Sequence, residues 1–186
     1  MLFRSGWRVI GFLRFVGLLN AAVWLGAAVF YTLSAAPALV SVDVQSVLGA
    51  RSFPYFSGAI ANIVLLRYFH LHFVCATLAL IHVVAEWLYL GRAPRRTWTG
   101  LLVTLFWLGL LGSFWLGPRL GELHRTQYRT NTLPVEREAA SKSFRIWEGV
   151  FQAVNLLMLA GVAVYFWRAA HPSDELRFVG SPKLRS

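Results

Sequence analysis

The side chains able to do chemistry sit mostly inside apolar sequence. His72, Cys75, His82 and Glu86 all fall within the run Tyr68 to Leu90. On a helix turning about 100° per residue they share an arc of roughly 80°, with His70 on nearly the opposite face. His82 and Glu86 are four residues apart, a spacing that lets a carboxylate accept a proton from an imidazole. Such a stripe suits a proton relay, an ion path or a metal site. It equally suits a hydrogen-bonded pair that fixes helix packing. Ionisable groups within a membrane are costly and commonly functional, which keeps the first reading open. Glu86 lies one turn from the expected interface, where a long side chain can snorkel towards water.

A second set, Glu148, Gln152 and Asn155, shares one narrow arc of a later apolar run. Glu86 and Glu148 fall at opposite membrane faces and cannot form one carboxylate dyad. Gln152 and Asn155 are in reach, by depth, of His72 or Cys75, or of Asn20 in the first apolar run. Amides placed this way commonly link helices, at about 1 kcal/mol each, and that is the expectation for this set. The segment Gly117 to Arg125 mixes both charge signs with His124 and reads as a solvated loop.

The histidines do not suit haem. His72 and His82 are about 15 Å apart along one helix and cannot share an iron. A single cysteine excludes an internal disulfide and a cysteine-rich metal site, and two methionines argue against a thioether copper site. No cofactor is therefore expected. With no Walker loop, zinc-protease signature, nucleophile elbow or dinucleotide fingerprint, no enzymatic activity is expected either.

The elements that must position these residues are membrane helices. The chain has 186 residues, of which 57% are hydrophobic and only 14% charged, and its mean hydropathy is +0.56. The formal charge of +10 is scattered through short loops and tails, which points to the bilayer and its anionic headgroups rather than nucleic acid. The first span runs from Phe15 to about Ala36 behind a basic lead-in, and Pro37 is expected to end it. This start also resembles a signal peptide, but its length, Asn20 and Trp24 favour a retained helix. Ser41 to Leu66 reads as an interfacial or re-entrant segment, because Phe53 to Leu66 is too short to cross alone. The alternative is that Pro54 opens a long helix continuous with the second span.

The second span is Tyr68 to Leu90, and the basic turn to Arg96 follows. Thr97 to Gly117 is the third span, with Gly109 and Ser113 allowing close helix approach and Pro118 expected to close it. Arg119 to Lys142 is expected to be a substantial polar connection. Near its end Pro134, with Glu136 and Glu138, has the signature of a helix start. That helix leads into the fourth span, Ile146 to Trp167, which His171-Pro172 ends. The expected fold is all-α: a four-transmembrane-helix bundle with an interfacial or re-entrant segment after the first span. One integral membrane domain covers residues 1–170, and a polar tail covers 171–186. Trp87 and Trp98, Trp115 and Trp147, and Trp7 and Trp167 bracket the spans as interfacial belts do.

An even number of spans puts both termini and the Arg92 to Arg96 turn on one side, with 10 of the 18 Lys and Arg residues. The short turn carries three arginines beside two spans, so both termini are expected to be cytoplasmic. The expected location is a bacterial inner membrane, with the lipid bilayer as partner and a homo-oligomer or a membrane complex as the assembly.

Several pieces, in order, resemble the transmembrane protein 205-like family of four-span proteins. They are Leu19-Asn20-Ala21-Ala22-Val23-Trp24-Leu25-Gly26 and Arg51-Ser52-Phe53-Pro54-Tyr55-Phe56, then Trp115-Leu116-Gly117-Pro118 with Leu123-His124. Phe144-Arg145-Ile146-Trp147-Glu148-Gly149, followed by Asn155-Leu156, completes the pattern. The resemblance covers about Arg14 to Trp167. It implies a bacterial or organellar membrane protein without an established reaction, in a group for which transport or efflux is suggested. Family members tend to have histidine where this chain has Glu148. Together these readings describe a small transport-related or membrane-assembly component with a polar interior. The competing reading is a redox or metal-handling subunit that uses the second-span histidines.

Overall fold

The structure, a computed structural model, describes residues 3–90 and 95–171, and the side chains from residue 11 onward apart from that of residue 90. The described residues form helices and short connections, with no strand among them. Helix α1 (Phe3–Phe30) passes through a π-helical turn (Tyr31–Ala35) into α2 (Ala36–Leu39). A short helix α3 (Val42–Leu48) precedes the 38-residue α4 (Phe53–Leu90). Helix α5 (Arg96–Leu111) likewise passes through a π-helical turn (Gly112–Leu116) into α6 (Gly117–Tyr128). Residues 129–133 connect it to α7 (Pro134–Ala170). Four stretches are long and apolar enough to cross a bilayer: Gly11–Leu39, Phe53–Tyr89, Arg96–Tyr128 and Pro134–Ala170. The expected four-span all-α bundle is thus present.

Of the two readings of Phe53 to Leu66, the structure has the long helix opened at Pro54 rather than a separate interfacial piece: α4 runs unbroken from Phe53 through the second span. Pro54 occupies the first turn, where its missing N–H costs nothing. The short segment after the first span is α3 alone, opened by Ser41, whose hydroxyl accepts the Val44 N–H at 3.3 Å.

Pro37 and Pro118 do not end their helices. Each follows a π-helical turn that shifts the hydrogen-bond register: Ala36 N–H reaches back to the Tyr31 carbonyl, and Gly117 N–H to that of Gly112. A proline inside an α-helix lacks a donor and crowds the carbonyl four residues back. Widening the turn just before it accommodates both defects. The polar connection expected over Arg119 to Lys142 is accordingly two helical extensions joined by residues 129–133. Arg119 and Glu122 form an exposed ion pair on α6, at 3.1 Å. Helix α7 begins at Pro134 and ends at Ala170, as the proline, the acids and His171 implied. The basic turn at 91–94 and the tail from 172 onward lie outside the described residues.

The core is where the four long helices meet, around Trp24, Phe69, Leu102, Leu105, Met158 and Val162. Helices α4 and α5–α6 approach closely because the facing positions are glycines. A Cβ on Gly109 would stand 2.7 Å from His72 Cδ2 and 3.3 Å from the Phe73 backbone; one on Gly121 would stand 2.5 Å from Asn62 Nδ2. Large apolar side chains such as Phe12, Phe30, Leu88 and Leu157 cover the outside. That inversion of a soluble surface is what a lipid-facing bundle requires.

Candidate functional site

The second-span residues are divided among separate bonds. His72 is 1% exposed. The Trp24 indole N–H donates to His72 Nδ1 at 2.8 Å, and His72 Nε2–H donates to the Leu105 carbonyl at 3.0 Å. An indole N–H can only donate and a carbonyl can only accept, so the ring carries one proton, on Nε2. Its other nitrogen has no lone pair left for a metal. This clasp ties α1, α4 and α5 together at one depth. Cys75 is a buried free thiol, and its carbonyl accepts the Asn20 side-chain N–H at 3.0 Å. His82 is half-buried, and its Nε2–H donates to the Leu13 carbonyl at 2.7 Å.

The hydrogen bond that the i,i+4 spacing suggested between His82 and Glu86 is therefore not the one His82 makes. The Leu13 carbonyl on α1 is within reach of the ring because Gly17 leaves room: a Cβ there would stand 2.7 Å from His82 Cε1. Glu86 is half-buried, and His70 is exposed and bonded to the Leu66 carbonyl of its own helix at 2.6 Å. Among the described residues no three His, Cys, Asp or Glu side chains converge as metal ligands.

The fourth-span set belongs to a different place. Glu148, Gln152 and Asn155 line a cavity of about 890 Å³ between α1–α2, α4, α6 and α7, at the end of the bundle nearest residues 129–133. Asn155, 5% exposed, does not bond His72, Cys75 or Asn20. Its Nδ2–H donates to Thr32 Oγ1 at 2.9 Å, because Asn155 sits at the depth where the π-helical turn presents Thr32. The Thr32 hydroxyl in turn donates to the Ala28 carbonyl at 2.7 Å.

Other lining residues escaped the sequence reading. His124 is buried on α6 rather than solvated in a loop, and its Nε2–H donates to the Tyr55 carbonyl at 2.9 Å. Its ring packs against Tyr55, Tyr128 and Phe144. Ser57 Oγ donates to the Leu39 carbonyl at 2.5 Å, which holds α2 over α4. Asn62 faces Gly121 across the cavity wall. The helical spacing of Gly117, Gly121 and His124 held a signal for α6, but Pro118 masked it.

Two buried polar atoms in this lining have no partner: Asn155 Oδ1 and Asn62 Oδ1. Both are acceptors. The lining is otherwise largely aromatic and aliphatic, and its volume falls in the range of roughly 300–1,000 Å³ found for small-molecule sites.

Fold and surface together define a multi-pass, all-helical integral membrane protein. The model of a family described as a domain of unknown function, DUF4149, matches residues 19–129, and the chain belongs to that family. The match runs from the first span to the residue after α6, and so includes Trp24, His72, Asn62 and His124. No curated protein and no solved structure matches the chain.

Proposed function

We propose that this protein is a small transport-related membrane component that takes an amphipathic molecule into the cavity at the α6–α7 end of the bundle. The observation that carries this reading is a wide cavity lined mainly by apolar groups, yet holding two buried acceptors without partners. A cavity kept only for packing would be dry and apolar or filled by side chains. The resemblance to the transmembrane protein 205-like pattern, with its suggested transport or efflux roles, supports the same reading. The redox or metal-handling alternative draws no support from the second span, where His72 and His82 are engaged in helix-to-helix bonds. In the orientation with both termini cytoplasmic, the cavity lies towards the outer face of a bacterial inner membrane.

The experiment is native mass spectrometry of protein released from native-lipid nanodiscs. Wild type should release a bound molecule. Gln152→Trp, which fills the cavity from an exposed lining position, should release none. Identical spectra from the two proteins, or an empty wild type, would sink the reading.

A further inference from the structure

Four donors of the cavity wall are already engaged, while two of its buried acceptors are not. Asn155 Nδ2 is committed to Thr32, the Thr32 hydroxyl to Ala28, Ser57 Oγ to Leu39, and His124 Nε2 to Tyr55. Because the Thr32 proton points at the Ala28 carbonyl, Thr32 Oγ1 can only accept from Asn155. That fixes which end of the Asn155 amide is the nitrogen and leaves Oδ1 as the orphan. Asn62 Oδ1 is the second. An unpaired buried acceptor is costly, and a donor from a ligand would recover that cost. An acceptor-only group such as a carboxylate or phosphate would find no free donor at Asn155.

The remaining chemistry favours a positive donor over a neutral one. Tyr31 and Phe151 line the cavity beside Asn155, an edge-to-face pair with ring centroids 6.2 Å apart. Glu148, two turns nearer the rim, lies on the same face of α7 and, among the described residues, forms no ion pair. Arg145 also lines the cavity but sits at the rim, where it can turn to water.

Resting on the ligand-cavity reading above, we infer that the cavity recognises a primary ammonium group on an apolar body, with Asn155 Oδ1 as its hydrogen-bond acceptor and the Glu148 carboxylate, two turns nearer the rim, as its counter-charge. The ammonium enters as a donor of hydrogen bonds, and the apolar body fills the aromatic and aliphatic remainder.

The test uses the full-length protein in a non-ionic detergent, with binding read as a saturable rise in melting temperature and by calorimetry. The probes are phenethylamine, its N-trimethylated analogue, phenethyl alcohol and phenylpropionate. Phenethylamine should bind most tightly. Each of the others should be weaker by about tenfold or more, the loss expected when a charge-assisted hydrogen bond is absent. Asn155→Leu should weaken phenethylamine by a similar factor. Since that change also removes the Thr32 bond, Glu148→Gln at the exposed rim provides an independent variant, with the same direction expected and an unchanged melting temperature without ligand.

Phenylpropionate or phenethyl alcohol binding as tightly as the amine would overturn the inference. So would amine binding that neither variant weakens, or no saturable binding by any probe. If another probe binds instead and Gln152→Trp abolishes its binding, only the ammonium assignment falls. The cavity reading falls through the mass spectra.

Discussion

At the residue scale, His72 is the polar side chain whose surroundings are most fully determined. Both ring nitrogens are bonded, to Trp24 on α1 and to the Leu105 carbonyl on α5, and the ring edge lies against Gly109. Replacing it removes two interhelical bonds and strands the Trp24 N–H in an apolar core. His72→Leu should therefore lower stability by about 2–3 kcal/mol. His82→Leu, which loses one bond to Leu13, should cost about 1 kcal/mol, and exposed His70→Leu less than either. Thermal unfolding of the three variants in detergent gives the order directly, and His70→Leu proving the most damaging would mean that α4 is turned the other way. That these histidines share a helix was legible from spacing. Their carbonyl partners were not, because Leu13 and Leu105 contribute only backbone oxygens, which no side-chain pattern announces. The partner of Asn155 is hidden for a related reason. Thr32 looks like an ordinary residue of an apolar run until the π-helical turn brings it to the right depth.

At the element scale, the spans were legible because about 20 consecutive apolar residues rarely suit anything but a membrane helix. The ends were less so, since both prolines carry a general rule that a local change of helix type sets aside. With Pro118 taken as a stop, α6 reads as loop and its buried His124 as solvated. The glycines tell the complementary story. Gly109 and Ser113 marked a close approach, and α4 lies against that face. Alanine is the better helix former, so Gly→Ala in an open helix position should be neutral or stabilising by up to about 1 kcal/mol. Gly149, where a Cβ would meet nothing within 4 Å, is such a place. At Gly109 the new methyl meets the Phe73 backbone, which cannot rotate away, and the His72 ring. Gly109→Ala should destabilise by about 1–3 kcal/mol despite the propensity gain. Denaturation of the two alanine variants in the same detergent separates the effects, and equal stabilities would mean that the helix pair has room to part.

At the scale of the whole molecule, the long helices exceed the membrane. The 38 residues of α4 and 37 of α7 correspond to about 55 Å each, against about 30 Å of hydrocarbon. The excess lies at one end. There α6 exposes Arg119, Glu122 and Arg125, and α7 exposes Glu136, Arg137 and Glu138. Trp115 and Trp147 meet edge to face at 4.9 Å below them, at the level where an aromatic belt belongs. The cavity spans this level, from Asn155 within the apolar bundle to Gln127 and Tyr128 beyond it. The opposite end is compact: Arg168 lies over the Trp98 ring at 5.2 Å, so the start of α5 and the end of α7 share one face. Basic residues are nearly balanced between the two ends, and orientation rests on the arginine-rich sequence beside two spans. With that end cytoplasmic, the projecting end and its cavity face outward. In a Cys75→Ala background, a membrane-impermeant maleimide added to intact cells should label a cysteine placed at Thr130, between α6 and α7. It should spare one at Thr97 at the start of α5 until the cells are opened. The reverse pattern would turn the molecule over and point the cavity at the cytoplasm, and labelling of both from outside would contradict the four-span topology itself.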